Sequence, residues 1–206
     1  GTCGMICCCD GADKRMAKDA QVTEATPFGK TGKAGSATKD AYVEKYELNE
    51  NKCIQGKCTT DEELCEFLGQ NISIDNLQCL VVISSKPAHA YRLPSETATE
   101  TGIQILGQLV LANAQSLRIF HLNGQRLDWN RSTSLSSSIS QCKALQIVDL
   151  YDCMLNNDSC LALFDSLKGI PTIKEINFGK NDINAETRST IQDELSSTYP
   201  NIQVIF

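Results

Sequence analysis

The chain has little of what most enzymes use for chemistry. Histidine occurs only twice in 206 residues, as His89 and His121, and there is one tryptophan. Histidine is the side chain whose charge ordinarily changes near neutral pH, so its scarcity removes most acid–base and nucleophile–base arrangements. His121 and Cys79 fall at strand positions of neighbouring segments, but no third group is placed to orient such a pair. Both read as side chains of an interaction face. Ser134 to Ser140 reads as a polar helix face. No catalytic residue and no enzymatic activity are expected. A phosphate loop is missing too: Gly29-Lys30-Thr31 has no glycine five residues earlier, so Pro27 to Ser36 reads as a flexible basic linker. Asp10 and Asp13 are too sparse for a calcium loop. No metal and no cofactor is expected.

Other absences bound the class. No apolar run reaches the length of a membrane span. No charged stretch followed by an apolar one opens the chain, so no secretory signal is expected. A net charge of −6 gives no reason to expect nucleic acid as a partner. Aromatics are only 6% of residues, so the core must be filled by Leu, Ile and Val. Cysteine is not scarce: there are 11, an odd number. Cys53, Cys153 and Cys160 fall among apolar positions, where a thiol acts as a small hydrophobe. The expectation is free thiols in a reducing compartment rather than a disulfide framework.

What is present is a repeat. Leu117-x-x-Phe120-x-Leu122-x-x-Gln125-x-Leu127 returns 28 residues later as Leu145-x-x-Val148-x-Leu150-x-x-Cys153-x-Leu155. It returns again as Ile173-x-x-Ile176-x-Phe178-x-x-Asn181-x-Ile183, and Ile202-x-x-Ile205 begins another copy. Alternation of the central apolar positions places them on one side of a strand. Helical stretches follow each strand: Leu161, Leu163, Phe164 and Leu167 supply one buried face, Ile191 and Leu195 another, with Pro171 and Pro200 as stops. Upstream, Leu77-x-x-Leu80-x-Val82 opens a coil, and a helix from about Ala98 to Ala112 buries Ile103, Leu106, Leu109 and Val110. Val43-x-x-Tyr46-x-Leu48-x-x-Asn51-x-Cys53 fits the same template and reads as the first strand, with Asp61 to Leu68 as its helix and Thr59 or Thr60 as N-cap. Lys86 to Ser95 is a proline-bearing insertion between the second and third coils.

This spacing resembles a leucine-rich repeat of the ribonuclease-inhibitor-like subtype. The resemblance implies an α/β solenoid of about five strand–helix coils, with parallel strands inside and helices outside. It also implies that the ninth position of each copy (Gln125, Cys153, Asn181) bonds the loop backbone of neighbouring coils. The family has no characteristic reaction and presents a curved surface to partners.

Residues 1–42 differ from 43–206. They are rich in Gly, Ala, Lys and Thr, and read as a largely irregular tail ahead of the repeat domain. Gly1, Cys3, Cys7, Cys8 and Cys9 resemble the start of doubly acylated, membrane-anchored proteins, which implies myristate on Gly1 and palmitate on nearby cysteines. Met5 stands where that motif prefers Ser or Thr. Two other readings of the cysteines stay open: a redox or metal-binding cluster, and a plain tail.

The expected function is protein–protein interaction, as a small scaffold or adaptor subunit of a larger assembly, tethered to the cytoplasmic side of a membrane. A ciliary or cytoskeletal complex component without an anchor is the alternative, and a redox or metal-binding subunit a second. The template puts Lys45, Glu47 and Asn49 on the inner face of the first strand. Val81, Ile83, Ile119, His121, Ile147, Asp149 and Tyr151 follow on the next three. Its apolar members form an expected exposed patch, and such patches mark interfaces. The insertion or the tail could instead cover it. Phe206, at the last strand, is expected to offer a second contact edge.

Overall fold

In the computed structural model, which describes residues 38–84 and 100–206, helices start where a side-chain oxygen can satisfy first-turn amides. Asp128 accepts from Arg131 N ahead of helix α4 (Trp129–Ile139), Asn156 from Ser159 N ahead of α5 (Asn157–Lys168), and Asn184 from Thr187 N ahead of α6 (Ala185–Thr198). From 128 to 156 to 184 the caps keep a spacing of 28, so helix starts repeat with the apolar pattern. Thr60, not Thr59, caps α2 (Asp61–Asn71) in a reciprocal capping box with Glu63. Each such cap stabilises its helix by about 1 kcal/mol. The remaining long helix is α3 (Glu100–Ala112).

Between these helices run six strands: β1 (Cys53–Lys57), β2 (Cys79–Ile83), β3 (Ile119–Asn123), β4 (Ile147–Asp149), β5 (Glu175–Asn177) and β6 (Gln203–Ile205). They form one parallel sheet in sequence order. Ile119, Ile147, Glu175 and Gln203 stand side by side, so the 28-residue sequence period is also the step from strand to strand. Helices α2 to α6 pack against one another in the same order. The result is an α/β, solenoid-like coil of strand–helix units. On the helix side, Leu80, Phe120, Val148 and Ile176 form one fully buried row and Val82, Leu122, Leu150 and Phe178 the next. The helix faces expected from the sequence meet them: Ile103, Leu106, Leu109, Val110, Leu163, Phe164, Leu167, Ile191 and Leu195 are all buried.

The ninth positions stitch the coils. Asn181 Oδ1 accepts from the amides of Cys153 (2.9 Å) and Leu155 (3.0 Å), while its Nδ2 reaches the carbonyls of Leu150 and Phe178, both at 2.8 Å. Cys153 Sγ donates to Leu122 O at 3.1 Å, and Gln125 Nε2 to Cys58 O at 2.8 Å. Gln125, the least typical residue of the three, is 1% exposed and makes the same kind of bond to the preceding loop.

The first unit departs from the expectation. Val43 to Cys53 is not a strand: Lys39–Tyr46 form helix α1, Glu50–Lys52 a 3-10 turn, and β1 begins only at Cys53. Ile54, rather than Tyr46, lies beside Leu80. Lys45, Glu47 and Asn49 therefore lie off the sheet. The physical reason is local. Thr38 caps the segment, and Tyr42, Val43 and Tyr46 sit at helical spacing. β1 meanwhile hides from the template because Gly56 occupies the position of Val82; a Cβ there would stand 2.7 Å from the Phe67 ring. The boundary drawn at residue 42 moves with it, since Lys39–Tyr42 belong to a helix seated on the repeat sheet. All described residues lie in one compact unit.

Candidate interaction face

The sheet face opposite α2 to α6 carries the alternate strand residues. One row runs Cys53, Cys79, Ile119, Ile147, Glu175, Gln203; the next runs Gln55, Val81, His121, Asp149, Asn177, Ile205. The sequence placed β2 to β5 of this face correctly. Its exposure differs from the expectation. Val81, Ile119 and Ile147 are 0%, 1% and 2% exposed, because α1 lies over them. Ile83 and Tyr151 are half-buried. The exposed apolar patch is thus a second small core, formed by Tyr42, Leu48, Cys53, Cys79, Val81, Ile119 and Ile147, with Val43 and Tyr46 packed at its border. The cover is only in part the expected tail: α1 joins residues 39–42 of that tail to residues 43–46 of the expected first strand. The insertion, with His89, lies outside the described residues, as do Gly1, Cys3, Cys7, Cys8 and Cys9.

Tyr42 is the residue that the sequence reading missed, and it organises the face. Its ring stacks on Tyr46 (centroids 6.3 Å apart) and meets the His121 ring edge-on at 5.9 Å. Its hydroxyl lies 3.0 Å from His121 Nδ1. Asp149 Oδ2 stands 3.3 Å from the same nitrogen, and Asp149 Oδ1 accepts from Tyr151 N at 3.1 Å. His121 Nε2 has no partner, although the side chain is fully buried. With either tautomer the ring keeps one unsatisfied nitrogen, at a cost of about 1–3 kcal/mol. The signal for Tyr42 was present as two tyrosines four residues apart behind a capping threonine, and a coincidental match to the repeat template overrode it.

Burial pushes His121 below its ordinary value of 6.5, with the Asp149 carboxylate pulling the other way. Burial raises the Tyr42 phenol, and nearby Asp149 adds to it. Burial likewise raises Cys53 and Cys79. These thiols face each other across β1 and β2 and stay protonated, so they are poor nucleophiles. All seven cysteines among the described residues are free. No three of the described His, Cys, Asp and Glu side chains converge as a metal site requires. No described helix is long and apolar enough to cross a membrane.

A pH dependence follows. With α1 docked, His121 resists protonation; with α1 undocked, water reaches the ring and proton uptake becomes easier. The undocked state binds more protons, so docking is fully favoured above about 6.5 and weakens as pH falls through that value. The protection of amides 39–46, taken relative to the intrinsic exchange rate at each pH, should fall between about pH 7 and pH 5, and His121→Gln should flatten that profile. A profile equally flat in the wild type would show that α1 does not keep water from His121.

Beyond α1 the face is open. Glu175 and Ile205 are half-buried and Gln203 is exposed. Lys180 lies over the Tyr151 ring at 5.1 Å, and Gly179 leaves the room that ring needs, since a Cβ would come within 2.9 Å of it. Phe206 lies on the other side of the sheet, packed on Phe178 at 6.3 Å with the Arg188 guanidinium of α6 5.6 Å from its ring. One part of the face is therefore filled by the chain's own helix, while Tyr151, Glu175, Gln203 and Ile205 beyond it keep accessible surface. No known family model matches this chain, and no curated protein is significantly similar to it.

Proposed function

We propose that the chain is a non-enzymatic protein–protein interaction module, a small scaffold or adaptor subunit of a larger assembly. The observation that carries this reading is the accessible strand face beyond α1, where Tyr151 and Ile205 stand partly exposed beside Glu175, Lys180 and Gln203. A parallel sheet in sequence order gives such a face a fixed spacing of about 4.8 Å per strand, which suits an extended protein surface better than a small molecule. Aromatic rings flanked by charged side chains are the usual makeup of an interface centre and rim. The resemblance of the Leu117–Phe206 spacing to leucine-rich repeats supports the same use of the inner face. Membrane attachment through acyl groups on Gly1 and on Cys3, Cys7, Cys8 or Cys9 belongs to the proposal and rests on those residues alone.

The test is a double variant, Tyr151→Asp with Ile205→Asp, expressed in the native source. Both positions are only partly buried, so the circular dichroism should match wild type while the co-purifying proteins are lost. Gln192→Arg, on the exposed side of α6, should keep them. Retention of the full set of partners by the double variant would remove the open face as the interface.

A further inference from the structure

Helix α1 has a core of its own. The cluster beneath it shares no residue with the large cluster between the sheet and α2 to α6; the sheet separates the two. Removing α1 would uncover the first cluster and leave the second untouched. The helix is 8 residues long, and Tyr42 is its only fully buried residue. A helix that short does not persist by itself in water, so α1 is helical because the sheet holds it. Behind it the chain turns at Glu47, a non-glycine residue at φ 51°. Beneath it His121 Nε2 is buried without a partner: α1 satisfies one imidazole nitrogen and leaves the other.

We propose that the strand face under α1 is a helix-docking groove whose resident α1 exchanges for an amphipathic helix of a partner protein. That helix presents two aromatic side chains one turn apart, the first with a hydroxyl, and a basic residue just before the second. The proposal rests on the interaction reading above and names the partner's chemistry at one part of the face. The groove itself states what fits. Val81, Ile119 and Ile147 form an apolar floor, with one polar point at His121 and Asp149 that a phenol reaches. Lys45 Nζ stands 4.9 Å from the centre of the Tyr46 ring, so a cation just before the second aromatic belongs to what the docked helix presents.

The experiment uses the full chain and a blocked synthetic peptide of residues 38–48 as the probe helix. In wild type the resident α1 competes with the peptide. In the variant Tyr42→Ala with Tyr46→Ala the groove is vacated, and the peptide should bind at least about tenfold more tightly than to wild type. Phenylalanine at the first aromatic of the peptide should weaken binding severalfold, and so should alanine in place of the basic residue before the second. Equal peptide binding by wild type and variant, with the variant's main melting transition retained, overturns the proposal. Should the variant fail to fold, amide exchange in wild type decides. Exchange of α1 far faster than that of β3 supports local release, and exchange of both only through global unfolding overturns it. Peptide binding to a protein whose open-face variant loses no partner keeps the groove and removes the adaptor reading; the reverse pattern does the opposite.

Discussion

Asn181→Ala is expected to cost at least about 3 kcal/mol and to melt the chain as a whole. The side chain accepts from two buried amides, Cys153 N and Leu155 N, and donates to Leu150 O and Phe178 O. Asn181 is only 9% exposed, so water cannot take over all four bonds. Each buried polar group left unsatisfied costs about 1–3 kcal/mol, and at least two are stranded at once. Asn181→Asp should also destabilise, because it keeps the acceptor for the amides while losing both donations and burying charge. Asn201→Ala, at an exposed asparagine, serves as the control and should change stability by less than about 0.5 kcal/mol. Thermal melts of the three variants check this. A transition for Asn181→Ala within error of wild type would mean that the loop bonds add nothing to the stacking of coils.

Leu150→Ala should cost about 2–5 kcal/mol, or roughly 5–15 °C in melting temperature. Leu150 has no exposed surface and stands between Leu122 and Phe178 in the second buried row, so a cavity there touches two neighbouring coils. The loss should appear as one cooperative transition, since the core is continuous from Cys58 to Leu195. Leu111→Ala is the matched control: a leucine of α3 that is 46% exposed should melt within about 2 °C of wild type. Equal effects of the two substitutions would contradict the register that puts Leu150 inward.

These predictions draw on the part of the chain that was legible without coordinates. From Leu77 onward the apolar offsets gave each strand's register, the inward and outward rows and most buried helix positions, because a repeat states the same geometry several times. The polar ninth position was legible as a role but not as a strength. Gln125 looked unsuited to the loop bond, and only the packing shows its amide reaching Cys58 O at 2.8 Å.

The strand face opposite α2 to α6 was legible in its residues and not in its exposure. Ile119 and Ile147 do point away from α2 to α6, and yet they are buried, since α1 rests on them. Changing them to Asp, a natural first test of an interface, would instead place charges in a core. Strand alternation reports which side of a sheet a residue occupies and nothing about what lies over that side. The error in the first unit has the same root. Val43-x-x-Tyr46-x-Leu48 satisfies the template in spacing, and a match of three apolar residues does not distinguish a strand from one turn of helix.

By itself, then, the sequence determined the α/β class, the parallel repeat and its period, because these follow from local apolar periodicity and recurring caps. Only the tertiary structure decided which strand comes first, that Tyr42 meets His121 and Asp149, and that half of the inner face is filled by α1. Those facts depend on contacts between residues 79 apart in the chain. No local pattern encodes such contacts; they arise when a short helix, too weak to stand alone, finds apolar surface that the folded sheet has already built.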